Sequence, residues 1–205
     1  MADRETFRLV SEQCAVLVGA QSTAGPITFG TMTLDGHAEF ATPEIDLDAA
    51  VPLAAFMRIP VISLESGNKL YDSELQRRLD QRRFPNITVE MCAANPRGGG
   101  RFAAEGDLTI SGTTRRMMGF LDLAMPDENT LIATGGENVD MREFGIEMPW
   151  ILAFKIYPEV SVQFRLTATR ARPDSSRRRD RGVPSSILRR VADLRPGRPD
   201  RGGGR

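Results

Sequence analysis

The stretch "RFAAEGDLTISGTTRRMMGFLDL" (Arg101–Leu123) alternates apolar and polar residues, stops at Ser111-Gly112-Thr113, then alternates again. A period of two marks a strand with one buried face, because successive side chains point to opposite sides. The interruption has the chemistry of a tight turn joining two antiparallel strands. The same rhythm runs through most of the chain before residue 172. It is carried by Phe7–Ser11, Cys14–Ala20, Ile27–Leu34 and His37–Thr42, with Asp35-Gly36 as a bend. It resumes in Pro52–Leu64, Asn86–Ala94, Asn129–Val139 and Glu159–Ala171, with Pro60 marking an edge or a strand end. Strands at this regular spacing predict an all-β chain, an antiparallel barrel of about eight strands.

One segment departs from the rhythm. "YDSELQRRLDQRRF" (Tyr71–Phe84) has Asp72 or Ser73 as a helix cap, acids early, arginines late and no β-branched residue. Tyr71, Leu75 and Leu79 fall four apart and share one face, which predicts a short helix placed to cover one end of a barrel. Arg142–Pro158 reads as a loop with some strand.

Charge divides the chain in two. Formal net charge is zero over 205 residues, yet residues 171–205 hold eleven Arg and four Asp, or +7, which leaves the remainder at −7. The predicted organisation is therefore a barrel domain over 1–171 and an Arg/Pro/Gly-rich tail over 172–205. Too poor in apolar residues to offset its ordering entropy, the tail is expected to be disordered. Within it Ser185–Leu194 sets Ile187, Leu188, Val191 and Leu194 on one face, behind a serine cap. The tail's arginines make nucleic acid or an anionic membrane its expected partners, through weak, salt-dependent contacts. An exposed edge near Pro60 would permit a homodimer.

Catalytic chemistry is scarce. The single histidine, His37, follows the Asp-Gly bend and is expected at an exposed strand start, so a metal site built on several histidines is excluded. "TGGEN" (Thr134–Asn138) and "RGGGR" (Arg97–Arg101) lack the strand-to-helix context of a phosphate loop and read as turns. Glu44, Asp46 and Asp48 alternate along one solvated face, and no spacing singles out a carboxylate pair. The expectation is a protein that is not an enzyme. Cys14 and Cys92 lie far apart and read as buried small hydrophobes of a reducing compartment. No basic segment followed by an apolar run opens the chain, and no stretch nears the roughly 18 apolar residues of a membrane span. The expected location is the cytoplasm.

The inward faces form a consistent apolar set. On one strand of the opening hairpin it is Phe102, Ala104, Gly106, Leu108 and Ile110; on the other Met117, Gly119, Leu121 and Leu123, with Met118 and Phe120 breaking the alternation. The last strand contributes Val160, Val162, Phe164, Leu166 and Ala168. Ile87, Val89 and Met91, with Met57, Ile59, Val61 and Phe29, complete it. An eight-stranded barrel is filled by its side chains or holds one small ligand. Small residues (Ala104, Gly106, Gly119) and adaptable methionines (Met57, Met91, Met117) suit a cavity for a flexible apolar guest. Glycines relieving strain and methionines filling gaps explain the same residues equally well.

Four segments in unbroken order, Leu64–Glu90, Gly106–Met117, Phe144–Pro149 and Glu159–Ala168, resemble the YceI-like family over roughly Thr6 to Ala171. Leu75, Leu79, Phe84, Pro85, Ile87, Gly106, Leu108, Thr109, Gly112 and Thr114 stand at positions the family favours. The resemblance implies a lipocalin-like barrel that encloses an isoprenoid lipid or quinone, with no other cofactor, as a carrier or store. It makes the inward set the ligand-binding residues, with Leu75, Leu79 and Trp150 closing the mouth. Where many members carry an Asp…His-Ser motif, this chain has "LVSEQCAV" (Leu9–Val16), and the secretory signal of many members is absent. The alternative is a filled barrel acting as an interaction module whose basic tail docks on nucleic acid or a membrane.

Overall fold

The computed structural model describes residues 5–41, 45, 47, 53–147, 150, 151 and 154–171. The barrel belongs to a unit spanning Met1–Ala171. The basic tail and its Ser185–Leu194 segment lie outside the described residues.

The chain enters through β1 (Glu5–Leu9), a 3-10 turn at Ser11–Gln13 and β2 (Ala15–Ser22), and returns through β3 (Gly25–Thr31) and β4 (Asp35–Phe40). β1 pairs with β4 and β2 with β3, so these four pieces are one long, broken hairpin. β5 (Leu53–Pro60) leads through a 3-10 turn, Val61–Ser63, to the helix α1 (Lys69–Arg78). A meander follows: β6 (Asn86–Gly98), β7 (Arg101–Ile110), β8 (Thr113–Asp127) and β9 (Thr130–Asp140). After a 3-10 turn at Met141–Phe144 come the short β10 (Trp150–Ile151) and the long β11 (Phe154–Arg170). β11 pairs with β9 along one side and with both β2 and β1 along the other. The pairing Leu9↔Ala168 closes the ring β1-β4-β5-β6-β7-β8-β9-β11, an eight-stranded antiparallel barrel.

Ser111-Gly112 forms the turn of the β7–β8 hairpin, with φ of 49° and 75°. Both values are positive, as the two central residues of a type I′ turn require, and glycine adopts them without cost. The tip is also a fastener. Ser111 Oγ donates to the Leu79 carbonyl at 2.9 Å, and a Cβ on Gly112 would strike the Phe84 ring at 2.4 Å.

The helix begins two residues before the Tyr71 start read from sequence. Asn68 is the cap, its side chain accepting from the Leu70 amide at 2.9 Å, whereas Asp72 accepts from the amide and hydroxyl of Ser66. The cap lay outside the apolar periodicity, which is why it was missed. Tyr71, Leu75 and Leu79 do share the buried face.

Apolar packing forms two clusters. The larger sits under α1 and includes Leu64, Leu79, Ile110, Phe144 and Ile146. The smaller closes the opposite end around Phe7, Phe40 and Phe102, with the Phe7 and Phe40 rings edge to face at 5.7 Å. Pro60 ends β5 and pairs with Asn86; because β5 has β4 and β6 as neighbours, the edge invoked for a homodimer is not there. No helix among the described residues is long and apolar enough to cross a membrane.

Candidate functional site: a hollow in the barrel

Between the two clusters lies a cavity of about 340 Å³. Its floor, on the hairpin, is made by Ala104, Gly106, Leu108 and Ile110 of β7 and by Met117, Gly119 and Leu121 of β8. The pairs Ala104↔Gly119 and Gly106↔Met117 put small residues side by side at the waist, and this widens the bore. Gly106 has a second reason: a Cβ there would come within 2.7 Å of the Glu90 carbonyl, where β6 bulges after Met91. Both the cavity and the strain reading of this glycine therefore apply.

Met57 and Ile59 of β5 meet Val89 and Ile87 of β6 in register, and Met91 stands beyond them. Opposite, Val162, Phe164 and Leu166 of β11 and Phe29 of β3 line the wall. Leu75 of α1 and Leu79, its C-cap, cover one end. Most residues of the inward alternation thus border the cavity.

Two expected site residues fall elsewhere. Phe102 is 1% exposed and belongs to the aromatic plug, because its strand starts at the end where Phe7 and Phe40 already fill the bore. Val61 is buried in the helix-end core, not on the cavity wall; β5 stops at Pro60, and Val61 opens a 3-10 turn whose amide donates to the Pro85 carbonyl. The side chain of Trp150 lies outside the described residues. Conversely Leu9, Val16, Val18, Leu64, Val139 and Met141 line the cavity and were not singled out. The first three were legible in the alternation of the opening strands. Met141 sits on a 3-10 turn, and Leu64 follows one, so no strand period marked either.

Among the described residues, three with titratable side chains border the cavity, His37, Glu105 and Glu137. His37 pairs across the sheet with Phe56 on the outer face, 3.9 Å from Glu39, while Ala38 carries the inward position. Glu105 also faces out, tied to Arg116 at 2.9 Å. Cys14 is 1% exposed and donates to the Val10 carbonyl at 3.2 Å; burial pushes its thiol up in pKa, although the backbone hydrogen bonds to Thr167 and Val10 pull the other way. Cys92 is exposed on the outside of β6, contrary to the buried placement read from composition, because it sits at the bulge. Among the described residues no group of His, Cys, Asp and Glu is placed to hold a metal ion.

A closed antiparallel barrel, hollow and apolar inside and covered by one helix, defines the lipocalin-like class of β-barrels. Within that class the chain belongs to the YceI-like family, whose domain matches residues 17–168. Among solved structures it is similar to BcnA of Burkholderia cenocepacia, with 22% identity, a TM-score of 0.69, and coverage of 78% of this chain and 99% of that one. A polyisoprenoid-binding domain from Saccharophagus degradans, implicated in plant cell wall breakdown, is 11% identical with a TM-score of 0.63 over 80% and 98% of the two chains. The Campylobacter jejuni YceI protein is 15% identical, with a TM-score of 0.54 over 67% and 82%. At these identities the likeness is one of fold. No curated protein sequence matches the chain significantly.

Proposed function

We propose that this protein binds a long apolar molecule of isoprenoid type, a polyprenyl lipid or quinone, inside its barrel, as a non-enzymatic carrier or store. The hollow carries the reading: about 340 Å³ of apolar-walled space is kept open between two packed ends, within the usual range for small-molecule sites of about 300–1,000 Å³. The description of the Saccharophagus degradans domain as polyisoprenoid-binding supports it. Binding follows from burial. Each methylene taken out of water contributes about 0.8 kcal/mol, so affinity rises with chain length until the hollow is full and then stops rising. Three methionine side chains in the wall, Met57, Met91 and Met117, adapt to a methyl-branched guest.

Organic extraction of purified protein followed by mass spectrometry tests the proposal directly. A co-purifying isoprenoid, and a melting temperature that climbs with added prenyl chain length, are expected. Repeated preparations free of lipid, with no thermal response to prenyl alcohols, would overturn it. Placement in the cytoplasm is part of the same proposal and is checked by cell fractionation.

A further inference from the structure

The barrel wall is not zipped all the way round. β8 stays paired with β7 back to Thr113, and β9 stays paired with β11 on to Asp140. Yet the ladder between β8 and β9 ends at Leu121↔Gly135. Residues 116–120 of β8 and 136–140 of β9 therefore border a split in the wall. Its far end is laced shut by Arg115, whose Nε donates to the Glu143 carbonyl at 2.8 Å. The cavity reaches the split, because Met118, Gly119, Phe120, Gly136 and Glu137 all border it.

Glu137 is the unusual member of this group. Its cross-strand partner is Val162 of the inward set, so it occupies the inward register of β9, between Gly135 and Val139. An acid in an apolar register is costly unless it reaches water, and Glu137 is exposed. Gly119 leaves it the room: a Cβ there would come within 2.9 Å of Glu137 Oε2. Among the described residues the carboxylate accepts only from the Asn138 amide, at 3.1 Å, leaving oxygen lone pairs free at the mouth of the hollow. On the outer face beside it, Met118 and Phe120 are 76% and 53% exposed. Among the described residues, Leu75 and Leu79 cover one end of the barrel and Phe7, Phe40 and Phe102 fill the other.

We propose that the β8–β9 split is the doorway of the cavity and that Glu137 holds the polar end of the guest, selecting a hydrogen-bond-donating head over an anionic one. The chain enters sideways past Met118 and Phe120, the tail fills the hollow, and the head stays in the split. A hydroxyl there donates a charge-assisted hydrogen bond to the carboxylate. A phosphate or carboxylate head meets like charge there. The class of ligand is thus an isoprenoid alcohol rather than its diphosphate. This inference rests on the lipid-binding reading and adds a route and a head-group preference to it.

The test uses the full chain with two probes sharing one tail, geranylgeraniol and geranylgeranyl diphosphate, measured by equilibrium and stopped-flow binding. Wild type is expected to favour the alcohol by about tenfold or more. Glu137→Gln narrows that ratio, and Glu137→Lys reverses it; both changes are at an exposed position and leave the melting temperature near wild type. The double variant Met118→Asp/Phe120→Asp, which sets charge on the exposed outer lip and takes no volume from the hollow, slows association and dissociation together by about tenfold, as an obstructed passage does. A head-group ratio unmoved by either Glu137 variant, or rates unmoved by the Met118/Phe120 double variant in a protein that melts like wild type, overturns this inference and leaves the lipid reading standing. If neither probe binds wild type, both fall together.

Discussion

Cys14 and Cys92 are one residue type in two environments. Cys14 is sealed between Val10 and Thr167, with its thiol pKa raised by burial, while Cys92 stands on the outer surface at the β6 bulge. Thiolate is the reactive form, so burial and a raised pKa both protect Cys14. A thiol-reactive dye is expected to modify one cysteine in the native protein and both after denaturation; rapid modification of both would contradict the burial of Cys14. Arg170 shows how much one residue can gather at a seam. It pairs with Glu5 at 2.8 Å, lies over the Phe7 ring at 5.2 Å and donates to the Glu128 carbonyl, all where β1 meets β11. Arg170→Ala removes a partly buried ion pair and a cation–π contact, for an expected loss of about 1–3 kcal/mol, read by chemical denaturation.

At the scale of elements, the lid depends on Glu74. Burial raises the pKa of this carboxyl, but hydrogen bonds from Arg77 and Arg78, at 2.6 and 2.8 Å, outweigh it and leave the value below the usual 4.5. Arg78 reaches on to the Glu147 carbonyl, so the same network ties α1 to the segment after Phe144. A depressed carboxylate pKa contributes stability above its ordinary value and loses it as pH falls through the depressed one. Acidification below pH 4.5 is therefore expected to loosen the helix end. Thermal unfolding followed against pH should show wild type losing melting temperature more steeply than Glu74→Gln in that range. Parallel curves would remove Glu74 from the account. The β7–β8 hairpin was readable in full from alternation and turn chemistry. Its attachment to α1 through Ser111 and Leu79 was not, because a hydrogen bond between residues 32 apart leaves no local pattern.

For the whole molecule, plug and hollow should respond in opposite ways to substitution. Phe102→Ala opens a void in a fully packed end and is expected to cost about 3–5 kcal/mol. Val162→Trp adds volume where the barrel is empty, so stability holds while lipid binding is lost; denaturation and ligand-induced thermal shift together separate the two. Equal destabilisation by both would mean that the cavity wall cannot accept added volume. Strand count, the single covering helix and most of the inward face are determined by the chain's own order of residues. Side-chain direction alternates within a strand, and that is a local property any reader of the sequence can follow. Which inward residues would touch one another, and which would face empty space, was settled only when eight strands closed on themselves. Closure brings Phe7, Phe40 and Phe102 together from three distant segments, leaves Ala104 on the wall of the hollow and sets Gly119 against the Glu137 carboxylate. It also sets β8 and β9 apart ahead of Leu121 and beyond Gly135, since pairing is a relation between strands and no single strand encodes where it stops.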